Sequence, residues 1–309
     1  MKSKIYVIGS SNTDMVVKSN FLPKPGETVI GDTFLMNPGG KGANQAVSAC
    51  KLGADVTFIT KVGNDMFGKK AVNNFKKTGI KTDFIRIDKN NSSGVAIIMV
   101  DKSGENSISV APGANNSLKI KDVNFIEEKL NADDYVLIQL EIPKTVVEYL
   151  IEICNKLKVK LILNPAPFQK ISDYHLSQVN TITPNEIETE YLSGIKVKDK
   201  ETAKKASEIL INKGIKNIII TMGEKGAFYK SSSFEGLIPT KKVNVIDTTA
   251  AGDTFNGALV AGLSMKMDML TSIDFANNAA TYSVTKLGAQ SSAPSINDLN
   301  NKFLKYVHS

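Results

Sequence analysis

Short runs rich in valine and isoleucine recur along this chain, separated by longer segments of helical period. That alternation restricts the fold more than any other feature of the sequence. The clearest runs are residues 5–8, 56–59, 135–140, 160–163, 181–183 and 217–221. Helical patterns occupy 42–52, 67–78, 143–156 and 202–212, and near the C-terminus 252–264, 273–286 and 296–306 follow one another. The order predicts an α/β fold built on a mainly parallel sheet covered by helices. No internal repeat or low-complexity linker divides the chain, so residues 1–309 are expected to form a single domain. Two stretches, about 13–36 and 92–112, break the rhythm with turn-rich strands and no helix between them. Gly104 is placed to turn a hairpin between 95–100 and 107–110. A small antiparallel sheet standing off the main body is expected, as a lid or a dimer surface.

Composition narrows the chemistry. Lys+Arg number 38 against 31 Asp+Glu, a formal charge of +7, yet Arg86 is the only arginine and tryptophan is absent. Nucleic-acid readers rely on arginine forks and stacked aromatics, so the scattered lysines read as a solvated surface, with no nucleic-acid partner expected. The charge remains compatible with attraction of a small polyanion. With 42% hydrophobic residues and apolar runs far below the ~18 residues of a membrane helix, no membrane association is expected. The apolar stretch ending at Ile8 has no small-residue cleavage site after it, which predicts a cytoplasmic location. Cys50 and Cys154 cannot build a disulfide framework or a zinc cluster alone. Only His175 and His308 are present, so acid–base chemistry falls to carboxylates or lysines.

Polar residues follow the apolar runs: Ser11, Asn12 and Asp14 after the first, then Glu141, Asn164, Asn185 and Thr221 after later ones. Ligands of open parallel sheets bind beyond the carboxyl ends of the strands, so these residues converge on one expected site. Neither GxGxxG nor a Walker-type loop occurs; Gly40-Lys41 lacks the Ser or Thr that should follow. Two other segments carry the signal. In Asn37-Pro38-Gly39-Gly40-Lys41-Gly42-Ala43-Asn44, the glycines admit a ligand close to the backbone while Lys41 and Asn44 offer polar groups to hydroxyls. In Asp247-Thr248-Thr249-Ala250-Ala251-Gly252-Asp253, small residues expose amides at a helix start, which makes an anion site. Asp253 beside that site reads either as a helix-dipole carboxylate or as a base for a hydroxyl proton.

These segments, with Asn185 and Glu188 in Asn185-Glu186-Ile187-Glu188, resemble the signatures of the ribokinase-type carbohydrate kinases along essentially the whole chain. The resemblance implies a three-layer fold of that family with a β lid over about 13–36 and 92–112, and ATP-dependent phosphorylation of D-ribose at O5. It implies Asp253 as general base, with an anion hole from the amides around Ala250, Ala251 and Gly252. It implies a sugar site of Asn12, Thr13, Asp14, Gly40, Lys41, Gly42, Asn44, Glu141 and Asp253. The ATP site it implies comprises Asn185, Glu188, Thr221, Gly223, Glu224, Gly226, Gly252 and Asn277, with Asn185 and Glu188 holding Mg²⁺ partly through water. Asn277 stands where such kinases carry a histidine near the adenine. The family's activating monovalent cation, K⁺, would take Asp247, Thr249, Ser283, Lys286, Gly288 and Ser292, mostly by backbone carbonyls. A homodimer through the lid strands is also implied. The alternatives are a kinase of the same fold for fructose or deoxyribose, and a non-catalytic sugar sensor.

Overall fold

The computed structural model describes residues 3–299 together with Phe303 and Tyr306. The chain opens with β1 (Ile5–Ile8), β2 (Asn12–Lys18), β3 (Thr33–Gly39), α1 (Lys41–Lys51), β4 (Val56–Ile59) and β5 (Lys61–Gly63). It continues through α2 (Met66–Thr78), β6 (Arg86–Asp88), β7 (Gly94–Val100), β8 (Asn106–Ala111), α3 (Ile120–Val123) and β9 (Tyr135–Ile138). Then come α4 (Lys144–Leu157), β10 (Lys160–Leu163), α5 (Asp173–Leu176), β11 (Thr181–Ile182), α6 (Glu186–Ser193) and α7 (Lys200–Asn212). The last elements are β12 (Asn217–Thr221), β13 (Ala227–Lys230), β14 (Glu235–Ile238), α8 (Ala251–Ser264) and α9 (Met269–Ser283).

The apolar runs become the main sheet, in the order β14-β13-β12-β11-β10-β9-β1-β4. It is parallel from β12 to β4, and the hairpin β13–β14, which the run pattern did not signal, adds two antiparallel strands at one edge. Alternation along β1 feeds two cores. Tyr6 and Ile8 join Val147 and Leu150 of α4 and Leu210 of α7 on one face. Ile5 and Val7 meet Ala46 of α1, Leu259 of α8 and Phe275 of α9 on the other. Helices therefore cover both faces, which gives the expected three layers. Of the helix expected over 296–306, a 3₁₀ turn at Ile296–Asp298 is described. Most of the remainder, and His308, lie outside the described residues.

The second sheet, β3-β2-β7-β8, matches the two predicted excursions, and Gly104 turns the hairpin at φ +86°. Its outer pairs are antiparallel as expected, but the central pair β2–β7 is parallel, in register from Asn12↔Gly94 to Lys18↔Val100. The reason lies in the connections: β2 and β7 both rise out of the main body from the same rim, and their return strands β3 and β8 lie outside them. Leu35, Ile97, Ile108 and Val110 remain exposed on this sheet.

Helices α1 and α8 pack unusually close because glycine stands at their contact. A Cβ on Gly257 would lie 2.6 Å from both the Gln45 carbonyl oxygen and Ser48 Cβ. Ser48 Oγ donates across the same seam to the Thr254 carbonyl at 3.1 Å. Gly257→Ala should therefore lower the urea midpoint by the equivalent of about 1–3 kcal/mol, the usual cost of overpacking. An unchanged midpoint would show that the helix spacing is set elsewhere.

Candidate active site

The N-termini of α1 and α8 meet at the carboxyl ends of β1 and β9. Gly40 makes this possible: it sits at φ +88°, and a Cβ there would come within 2.7 Å of the Asn12 amide nitrogen. The turn delivers Lys41 and Asn44 to a point facing Asp253, the third residue of α8. Asn44 Nδ2 donates to Asp253 Oδ2 and Gln45 Nε2 to Asp253 Oδ1, both at 2.9 Å. The Asp253 carboxylate is thus buried and held by both oxygens. The Lys41 backbone amide and the Ser10 hydroxyl both donate to Glu141 Oε2. Asp14 approaches from β2, its carboxyl against Gly39, where a Cβ would clash.

Four carboxylates therefore share one ammonium. Burial pushes Asp14 up to about 6, with the negative charges of Glu141 and Asp253 adding to the effect and Lys41 opposing it. Burial raises Asp253 also, against the pull of Lys41, Asn44 and Gln45. Glu188 is raised by burial, opposed by the Asn185 amide and Lys41. Burial disfavours the Lys41 charge, but Asp253, Glu141, Glu188 and Asp14 outweigh it and hold the ammonium above its ordinary value. Carboxylates raised this way bind a proton more readily than exposed ones, and a cation or donor brought close to them favours the ionised form.

The start of α8 forms the other half of the site. Ala250 adopts the left-handed conformation at φ +58°, an uncommon state for a residue with a side chain. The first intrahelical bond is Thr254 N to Ala250 O, so the amides of Gly252 and Asp253 precede it and face outward. The Ala251 amide is instead engaged by the Thr248 carbonyl at 3.2 Å. Of the amides expected to form a hole around Ala250, Ala251 and Gly252, that of Ala251 is spent inside the turn. A Cβ on Gly252 would meet nothing within 4 Å. That open space belongs to a polar cavity of about 200 Å³ bounded by Lys41, Asn185, Glu188, Thr221, Gly252 and Asp253.

Asn185 and Glu188 form a capping box on α6: Asn185 Oδ1 accepts the Glu188 amide at 2.8 Å, and Glu188 Oε2 accepts the Asn185 amide at 2.9 Å. The same two side chains line the polar cavity, so the cap orients them toward it. A second cleft of about 450 Å³ adjoins, sharing Asn185, Thr221 and Gly252 with the first. Gly223, Glu224 and Gly226 line one side, and Val243, Val245 and Val284 supply apolar surface. Asn277 lines it as expected, but its Nδ2 donates to the Ile238 carbonyl at 3.0 Å, tying α9 to β14.

Asp247 accepts the Thr249 amide on Oδ1 and the Gly288 amide on Oδ2, both at 2.8 Å, which joins the two halves of the predicted cation set. Burial opposes its charge, but these hydrogen bonds outweigh it and hold the carboxyl below the usual range. The Ser283 and Ser292 hydroxyls bond carbonyls of their own turns, and the Lys286 ammonium lies over the Tyr282 ring. Among the described residues no group of three His, Cys, Asp or Glu suits a transition metal.

One expected sugar residue faces elsewhere. Strand alternation puts the Thr13 side chain opposite Asp14, in a crevice with Phe67 and Lys70 of α2. Several participants carry no local signal. Asn115 accepts the Ser11 amide at 2.9 Å and donates to Asn12 Oδ1 at 2.7 Å, orienting Asn12 from 103 residues away. Gln45 directly follows the glycine-rich segment, yet its contact with Asp253 shows only once α8 is beside it. Gln139 lies one residue past the end of β9 and two before Glu141, the polar position that patterning picks out.

The pfkB family carbohydrate kinase pattern matches residues 2–296 of the chain. The chain is similar to a ribokinase of Haemophilus influenzae, 45% identical over 95% of this chain and 96% of that protein. It is also 38% identical to a deoxyribokinase of Salmonella typhi, over 96% and 97% of the two chains. Among solved structures, an Arabidopsis thaliana ribokinase complexed with ribose and ATP superposes with a TM-score of 0.88 at 28% identity, covering 100% of both chains.

The raised Asp14 carboxyl makes a stability prediction with a definite sign. Its folded value of about 6 lies above that of an unfolded chain, so ionising it costs folding energy. The cost is absent below about pH 4 and complete above about pH 6. Asp14→Asn should therefore stabilise the protein by roughly 2–3 kcal/mol at pH 8 and leave it unchanged at pH 4, read by thermal unfolding at both.

Proposed function

Because the chain belongs to the pfkB family of carbohydrate kinases, we propose that it phosphorylates D-ribose at O5 with ATP, giving ribose 5-phosphate and ADP, with Asp253 as general base. The observation that carries the chemistry is a buried carboxylate held by Asn44 and Gln45 beside the open amides that start α8. In the reaction the sugar hydroxyl passes its proton to Asp253 as its oxygen bonds the γ-phosphorus, and the bond from that phosphorus to the ADP oxygen breaks. The Gly252 and Asp253 amides, with Lys41, stabilise charge on the transferring group. A chain with one arginine must supply that stabilisation from backbone donors and lysine.

The sugar would be held by Asn12, Asp14, Asn44 and Glu141 along with the base. Asn44 Oδ1 is buried without a protein partner, an acceptor that suits a sugar hydroxyl. The apolar cleft would take the adenine and the polar cavity the phosphates, a division that follows their chemistry. Asn185 and Glu188 would hold Mg²⁺ through water and phosphate, since that ion accepts few direct carboxylates. Bound there, it would neutralise phosphate charge. K⁺ would lie against Asp247 and the carbonyls of Thr249, Ser283, Lys286 and Gly288, with Ser292 near it. The β2–β3 and β7–β8 strands would form a lid. Their exposed Ile108 and Val110 support pairing with a second copy in a homodimer.

The 38% identical deoxyribokinase favours deoxyribose as the second reading. Coupled ADP release with ATP, Mg²⁺ and K⁺ should give a higher kcat/KM for ribose than for deoxyribose or fructose. A preference for deoxyribose would reassign the substrate and leave the mechanism intact. Asp253→Asn should fold and lose about a thousandfold or more in kcat. Gly252→Ala tests the anion site. Its methyl group meets no protein atom, so the unfolding midpoint should hold while kcat/KM for ATP falls about tenfold or more.

A further inference from the structure

Behind Asp253 runs a chain of buried amides that the proposed chemistry does not use. Gln45 Nε2 donates to both Asp253 Oδ1 and Asn164 Oδ1, at 2.9 and 3.0 Å. Its own oxygen must then accept, and it does so from Gln139 Nε2 at 2.6 Å. Asn164, its oxygen committed, donates through Nδ2 to the Thr183 carbonyl at 3.1 Å. Gln45 and Gln139 are fully buried. The direction of every bond is forced by the acceptor-only carboxylate at the end of the chain.

That direction leaves Gln139 Oε1 buried with no partner, over Gly9, where a Cβ would lie only 2.0 Å from it. An unpaired buried acceptor is expensive, and apolar side chains at 45 and 139 would fill the same space without that loss. The arrangement makes sense where its far end matters. The two oxygens of Asp253 are also unequal. Oδ1 faces this interior chain of committed amides, whereas Oδ2 accepts from Asn44, whose own buried oxygen has no protein partner.

We propose that Gln45 is a positioning residue that anchors Asp253 by Oδ1 and leaves Oδ2 as the oxygen receiving the proton, with Gln139 holding Gln45 in that orientation. The inference rests on the reading of Asp253 as the base. Both glutamines are fully buried and neither is among the groups proposed to hold the sugar or the nucleotide, so their loss should act on turnover rather than on substrate binding. A lost donor also makes the carboxylate easier to protonate, moving the acid limb of the kcat–pH profile upward. The other charges facing Asp253 are Lys41 on α1, Asp14 on β2, Glu141 beyond β9 and Glu188 on α6, all unchanged by the substitutions.

The test compares Gln45→Met, Gln139→Met and Asp253→Asn with the parent enzyme in pH-dependent coupled ADP release, after circular dichroism and thermal unfolding confirm folding. Gln45→Met should lower kcat about tenfold, leave sugar KM within about twofold and move the acid limb up by about one pH unit. Gln139→Met should move the limb in the same direction by less. A folded Gln45→Met with an unmoved limb, alongside an inactive Asp253→Asn, overturns the anchoring role and leaves the base assignment standing. Near-normal turnover by Asp253→Asn overturns the base assignment and this proposal with it. Should Gln45→Met fail to fold, Gln139→Met decides alone, and an unmoved limb there overturns the proposal.

Discussion

A carboxylate buried with less positive charge than negative around it governs this molecule. Asp253 keeps two side-chain donors, from Asn44 and Gln45, only because α1 and α8 approach within the reach of glycine contacts. The helix spacing, the layering of α1, α8 and α9 on one face of the sheet and the turn at Gly40 all serve that meeting. Asp14, Glu141 and Glu188 then crowd the same volume around one lysine. The unliganded protein is therefore electrostatically strained at its centre. A ligand that brought hydrogen-bond donors or positive charge would relieve that strain, which would link ligand binding to folding stability by charge as well as by contact.

Much of this was legible in the sequence because the relevant signals are local. Valine and isoleucine runs fell on six core strands, since the strands of a parallel sheet covered on both faces cannot tolerate polar residues. Polar residues at strand ends converged because parallel strands present their carboxyl ends to the same rim. The glycine-rich and alanine-glycine turns marked two helix starts, and those helix starts became the site.

What was not legible depends on partners distant in sequence. The parallel pairing of β2 with β7 follows from where each strand leaves the body, which alternation along either strand does not encode. Thr13 kept the composition of a sugar residue, and only the period of β2 turned it toward α2. Asn115 acts on Asn12 across 103 residues. The Asn185–Glu188 pair caps α6, and its side chains line the polar cavity at the same time. Ala251 lost its outward amide to Thr248 because a left-handed residue at 250 closes the turn tightly.

The parallel central pair of the small sheet also has a mechanical meaning. Asn12 is the first residue of β2, is in register with Gly94 at the root of β7, and is clasped there by Asn115. Two legs hydrogen-bonded along their whole length resist shearing past one another, which makes the sheet a stiff leaf on that root. Asn12 and Asp14 ride on the leaf itself. If this sheet is the proposed lid, a rotation that uncovered the site would also withdraw those two polar groups, and access and recognition would share one lever.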